Sequence, residues 1–97
     1  MTFVIHPAAA QEHKQQVAYY ENEQPGLGKR YHEAFKVAVA LACEMPYRPR
    51  VIHPPNIRSI SLDIFLFNVI YRELAGVVQI LAVAHHRRQP GYWLDRA

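Results

Sequence analysis

Phe65-Leu66-Phe67-Asn68-Val69-Ile70-Tyr71-Arg72-Glu73-Leu74-Ala75-Gly76-Val77-Val78-Gln79-Ile80-Leu81-Ala82-Val83-Ala84 has the pattern of a β-hairpin. Two long runs rich in β-branched and aromatic residues are separated by the two residues Ala75-Gly76, the length of a tight hairpin turn, with glycine free to adopt positive φ. The spacing predicts strands over Phe65–Leu74 and Val77–Ala84. In the first, Phe65, Phe67, Val69 and Tyr71 lie opposite Leu66, Ile70 and Arg72. Just upstream, Ile57 to Leu62 alternates roughly, with Arg58, Ile60 and Leu62 on one face, so three strands form an antiparallel meander.

Further upstream the periodicity changes. Leu27, Tyr31, Ala34, Phe35, Ala38, Leu41, Ala42 and Met45 recur at spacings of three and four, the stripe of an amphipathic helix that ends near Met45-Pro46. Ala8 to about Asn22 forms an earlier helix. Pro7 suits its first turn, Ala9, Val17 and Tyr20 give a thin apolar face, and Gln11 to Gln16 are very polar. Gln24-Pro25-Gly26 breaks the two apart, so they form an antiparallel hairpin. Phe3-Val4-Ile5 is a short first strand. Between Pro46 and Pro55 the chain carries Pro46, Pro49, Pro54 and Pro55 and reads as a stiff loop. The expected fold is α+β: an N-terminal strand and an antiparallel two-helix hairpin packed on a mainly antiparallel four-stranded sheet, one domain over residues 1–97.

Composition narrows the function classes. The 97 residues are 51% hydrophobic and 20% charged, ordinary for a globular domain able to build one modest core. A net charge of +3 suits an acidic protein partner or a nucleic-acid neighbourhood without approaching a histone-like balance. Seven arginines from Arg48 onward make the second half basic, whereas Glu12, Glu21, Glu23, Glu33 and Glu44 lie in the first. Cys43 is the single cysteine, set among Val39, Ala40, Leu41 and Ala42, where a packed thiol is expected rather than a nucleophile. No apolar run could span a bilayer and the N-terminus has no secretory pattern, so a cytoplasmic chain with no membrane contact is expected.

Catalytic constellations are scarce. The six histidines, His6, His13, His32, His53, His85 and His86, form no helical ligand pair, and strand neighbours such as His85 and His86 point to opposite faces. Neither a metal nor a cofactor is expected. Gly26-Leu27-Gly28 follows a helix rather than a strand and reads as turn chemistry, not a phosphate loop. Ser59 and Ser61 lie within a strand, not at a nucleophile elbow. Arg72 reads as solvated or paired across strands, and Tyr71 as core with its hydroxyl at the edge. The last strand, however, runs straight into Ala84-His85-His86-Arg87-Arg88-Gln89-Pro90-Gly91-Tyr92-Trp93, where guanidinium forks stand beside aromatic planes. Such a tail reads as a patch on a rigid platform, facing a polyanion or a protein.

Three segments in order are similar to the RelE/ParE superfamily of type II toxins, often described as plasmid stabilisation proteins. Tyr19-Tyr20-Glu21 with Pro25-Gly26-Leu27-Gly28 and Tyr31 resembles the helix-hairpin signature of a ParE-like subgroup. Phe65 to Arg72 resembles the strand motif, and Ala82 to Trp93 the closing motif. Leu66 departs from the usual proline, and Asp63 and Ile64 stand where relatives are often basic. RelE-like members cut messenger RNA in the ribosome with sheet lysines and arginines and an aromatic hydroxyl near the C-terminus. Here Ser59, Ser61 and Asn68 occupy the corresponding region and Trp93 lies near the tyrosine position, leaving Arg87 as the good match. An indole cannot move protons in that role, and Ser or Asn supplies no fixed charge.

The resemblance therefore implies a ParE-like toxin that inhibits DNA gyrase by binding, with no catalytic set required. The expected target-facing residues are Arg58, His85, Arg87, Arg88 and Trp93. The resemblance also implies a cognate antitoxin with a flexible wrapping segment, expected to meet Tyr20, Tyr31 and Phe35. Operator DNA would be reached indirectly through the antitoxin, in a hetero-oligomer of two toxins and two antitoxins. The alternatives are a ribosome-dependent endoribonuclease using Arg87 and His85, and a degenerate, non-toxic antitoxin-binding module.

Overall fold

The computed structural model describes residues 1–97. Its elements run β1 (Thr2–Ile5), α1 (Pro7–Glu23), α2 (Leu27–Glu44), β2 (Val51–His53), β3 (Ile57–Ser61), β4 (Phe67–Leu74) and β5 (Val77–His85), closed by a short 3₁₀ turn at Leu94–Arg96. The α+β fold and the helical hairpin are as expected. The sheet has five strands rather than four, in the order β1-β5-β4-β3-β2. The additional strand is Val51–His53, which lies inside the proline-rich stretch read as loop. It is a three-residue edge strand with an irregular register against β3. Proline can flank an edge strand because no inner ladder asks for its missing N–H.

Local chemistry explains the boundaries. His6 caps α1, its Nδ1 accepting from the Ala8 N–H at 3.0 Å, with Pro7 in the first turn. At the α1–α2 junction Gly26 adopts φ +87°. The Glu21 carboxylate takes the N–H groups of Gly26 (2.9 Å) and Gly28 (3.1 Å), satisfying donors that open α2. Gly28 is where the helices approach most closely: a Cβ there would lie 2.6 Å from the Val17 carbonyl oxygen. At the β4–β5 turn both Ala75 (φ +52°) and Gly76 (φ +81°) are left-handed, as a two-residue turn of the primed kind requires, and Glu73 accepts from the Gly76 N–H at 2.7 Å.

The helices cover one sheet face. Beneath them Val69, Tyr71, Val78, Ile80 and Val83 meet Ala9, Tyr31, Phe35, Ala38 and Ala42. The opposite face has a smaller cluster of Ile57, Ile70, Leu81, Ala82 and Trp93, roofed by the C-terminal tail. One irregularity separates them. Ile70 pairs with Ala82 while Tyr71 pairs with Ile80, so β5 carries an extra residue at Leu81. Leu81 and Ala82 therefore both serve the smaller cluster. The alternation then resumes with Val83 in the helix-side core and His85 against Phe67 on the same side, ring centroids 4.9 Å apart. Arg72 donates from Nε to Gln79 at 2.8 Å, across the strands, and the fully buried Tyr71 donates its hydroxyl to the Pro46 carbonyl. Cys43 is half-buried against the main core, and burial pushes its thiol pKa up, as suits a packing role. No helix is long and apolar enough to cross a membrane.

Candidate functional site

Beyond Ile80 the ladder with β1 stops, because β1 pairs only with Val77–Ile80. The next backbone groups of β5 on that edge are met by side chains. The Glu12 Oε1 accepts from the Val83 N–H at 3.1 Å, and Arg96 Nη1 donates to the Leu81 carbonyl at 3.0 Å. Glu12 and Arg96 also form a two-pronged ion pair at 3.0 Å for both contacts, and the Tyr92 hydroxyl donates to Glu12 Oε2 at 2.9 Å. Burial and this hydrogen bond to the carboxylate push the Tyr92 phenol up to about 12. The clamp ties the C-terminal tail to α1 and sets the path of the segment between them.

That segment is the turn after β5. The Arg88 N–H bonds the His85 carbonyl at 3.0 Å, the Arg87 N–H bonds His85 Nδ1 at 3.0 Å, and the His86 N–H bonds the Leu66 carbonyl at 2.9 Å. Arg87 and Arg88 are both exposed. The Arg88 guanidinium stacks on the Tyr92 ring, 3.9 Å from its centroid, and is held without an acidic partner. His85 and Arg88 stand on a ridge between two hollows. On the helix side, a groove of about 500 Å³ runs along Gln15, Gln16, Tyr19 and Tyr20 of α1. On the other face, a hollow of about 460 Å³ lies between the tail and the ends of β2–β5.

The structure brings His85, Arg87 and Arg88 together and separates the other two expected target-facing residues. Trp93 is a correction: its indole is 6% exposed and packs in the smaller core with Ile57, Ile70 and Leu81. An apolar indole at the start of the terminal turn gains more by covering the open sheet face than by facing water. Arg58 is a second correction. It sits on the helix side of β3 opposite Tyr71, and its Nη1 donates to the carbonyls of Tyr47 and Pro49 in the loop after α2. It braces that loop, two strands away from β5.

Of the residues expected to meet a partner, Tyr31 (0% exposed) and Phe35 (5%) are core, so their place on the partner surface is also corrected. They belong to the same stripe as Ala38 and Ala42, which is what the helical spacing specified. Tyr20 is half-buried at the groove, its ring 5.1 Å from both Tyr31 and Phe65, with Tyr19 exposed beside it. Sequence reasoning missed Glu12, Tyr92 and Arg96, and no local signal links positions 84 residues apart. It also left His53 unplaced; that ring meets Trp93 edge-on at 6.3 Å.

A family model described as "ParE toxin of type II toxin-antitoxin system, parDE" matches residues 3–90. No curated protein matches the chain. Among solved structures, a chain of the "Chromosomal ParDE TA system from P. aeruginosa" is similar, with a TM-score of 0.74 and 17% identity over 88% of this chain and 95% of that one. At that identity the likeness shows a shared fold. The matched span runs from Phe3 in β1 through both helices and the other four strands to the Arg87-Arg88 turn, and the chain belongs to the ParE toxin family of type II toxin-antitoxin systems.

Proposed function

We propose that this chain is a cytoplasmic toxin that inhibits DNA gyrase by binding it through the His85–Arg88 turn. The observation that carries this reading is the placement of two exposed arginines in a turn whose backbone is pinned at His85 and His86, with the Arg88 side chain stacked on Tyr92. A rigid cationic turn loses little conformational entropy on docking, so more of its contact energy remains as affinity. Binding rather than cleavage is supported by the uncharged Ser59, Ser61 and Asn68 on the sheet and by the indole of Trp93 being packed in core. Those positions offer no fixed cation for a developing phosphorane charge. The endoribonuclease and degenerate-module readings stand behind this one.

The antitoxin is proposed to lay its flexible segment in the groove beside Tyr19 and Tyr20. His85 and Arg88 line that groove, so a segment bound there covers the turn that meets the target. Neutralisation then follows from occlusion. Mild positive charge on the toxin suits an acidic segment, and salt weakens the attraction. Operator DNA is reached through the antitoxin, in a complex of two toxins and two antitoxins.

The test is a gyrase supercoiling and cleavage-complex assay with the purified chain and its Arg87→Ala/Arg88→Ala variant. Inhibition by the parent and its loss in the variant support the reading. An unimpaired enzyme at toxin concentrations well above the antitoxin dissociation constant removes it.

A further inference from the structure

We propose that the outer face of α2 is a self-association surface, on which a second copy of this chain docks its own α2 antiparallel about a twofold axis at Val37. The face is separate from the groove beside α1 and from the His85–Arg88 turn, and the pairing does not depend on gyrase being the target.

The inner side of α2 is given to the core, where Tyr31, Phe35, Ala38, Val39 and Ala42 are buried. The outer side is apolar as well. Val37 is 59% exposed and Leu41 40%, with Ala34 half-buried beside them. Residues three and four apart share a helix face, so Arg30, Ala34, Val37, Leu41 and Glu44 form one strip. Ile64, 70% exposed in the loop after β3, shares a hollow with Ala34 and Val37 and widens that strip. Its φ of +55° is unfavourable for a β-branched residue, a cost borne while the side chain stays outside the core. A contiguous apolar patch of this kind, rimmed by charge, marks a protein contact.

Charge selects the occupant and its direction. Arg30 opens the strip and Glu44 closes it, both exposed and neither in an ion pair within the chain. A parallel copy would set arginine against arginine and glutamate against glutamate. An antiparallel copy centred on Val37 sets Arg30 opposite the partner's Glu44 at both ends, because each lies seven residues from the axis. The helix dipoles are then opposed, and like charges are kept apart. In the same register Leu41 reaches the partner's Ala34, a large side chain over a small one, while Val37 meets its own symmetry mate. One patch thus serves both copies, as a twofold contact requires.

Size sets the strength. An 18-residue helix is about 27 Å long, and one face of it offers less than the roughly 800 Å² per partner of a standard interface. The dimer is therefore weak and reversible, with a Kd of about 10–100 µM.

Sedimentation equilibrium of the full chain from about 5 to about 500 µM tests this. A monomer–dimer equilibrium is expected within that range. Val37→Asp, which sets two carboxylates against each other on the axis, should leave the chain monomeric throughout. Arg30→Glu and Glu44→Arg should each weaken association about fivefold or more, and the double variant should return to within about twofold of the parent. The three positions are exposed, and thermal midpoints confirm that each variant is folded. A parent that is monomeric throughout, a dimer untouched by Val37→Asp, or a double variant no tighter than the single ones overturns the proposal. A monomeric parent whose Val37 and Leu41 amide signals shift on adding the cognate antitoxin overturns it too, and assigns the face to that partner.

Discussion

Glu12 and Arg96 face each other across 84 residues with two parallel contacts of 3.0 Å, their side chains 19% and 15% exposed. Between them they also satisfy the Val83 N–H and the Leu81 carbonyl, the first edge groups of β5 that β1 leaves open. One ion pair therefore protects an edge and fastens the tail that roofs the smaller core.

Arg96→Ala should cost about 2–3 kcal/mol, because it leaves a partly buried carboxylate and a strand carbonyl without their donor. Urea unfolding measures the loss. Trp93 fluorescence in the native state should shift to the red as the tail loosens. An unshifted spectrum together with unchanged stability would contradict the clamp.

Gly28→Ala should destabilise by about 1–3 kcal/mol, although alanine is the better helix former by about 1 kcal/mol in an open helix. The new Cβ would lie 2.6 Å from the Val17 carbonyl oxygen and 3.0 Å from the Glu21 side chain that caps α2. Thermal unfolding reads the sign directly, and a raised midpoint would refute the close approach.

His13 sets a pH dependence. Its ring stacks on Phe35 with centroids 3.9 Å apart, and its Nε2 lies 2.8 Å from His32 Nδ1. Burial, then the neighbouring His32, lowers its pKa to about 4 from the usual 6.5. The unfolded chain thus binds the proton more readily between those values. This contribution to stability is present above about pH 6.5 and is lost as pH falls toward 4. The ring is partly exposed, so screening limits the change to about 1 kcal/mol. Denaturation midpoints across that range should fall for the parent and flatten for His13→Gln.

Arg58→Ala and Arg87→Ala should separate structure from target binding. Arg58 holds the Tyr47 and Pro49 carbonyls and lies 5.6 Å from the Tyr47 ring, so its removal should cost about 1–2 kcal/mol. Arg87 is exposed, and its removal should leave stability within about 0.5 kcal/mol. Circular dichroism melts of both variants check the contrast.

The alternation of Phe67, Val69 and Tyr71 and the stripe from Leu27 to Met45 made the hairpins and the core legible, because burial on one face writes a period into the sequence. The short β2 was hidden by prolines, whose local signal is loop. The extra residue at Leu81 was hidden because Val77 to Val83 is apolar on both faces, so no alternation marks the slip. The Arg87-Arg88 turn could be read locally. Trp93 was misassigned because a tail that folds back to cover a sheet looks, in sequence, like one that projects from it. The Glu12–Arg96 contact that fastens this tail to α1 joins positions 84 residues apart, so only the tertiary fold creates it.

Inhibition of gyrase is proposed to run through the His85–Arg88 turn. Supercoiling by purified gyrase, measured against rising concentrations of the chain and of folded Arg87→Ala/Arg88→Ala, tests it most directly. Inhibition by the parent, weakened at least tenfold in the variant, is the expected result. Equal inhibition by both proteins, or none by the parent, contradicts it.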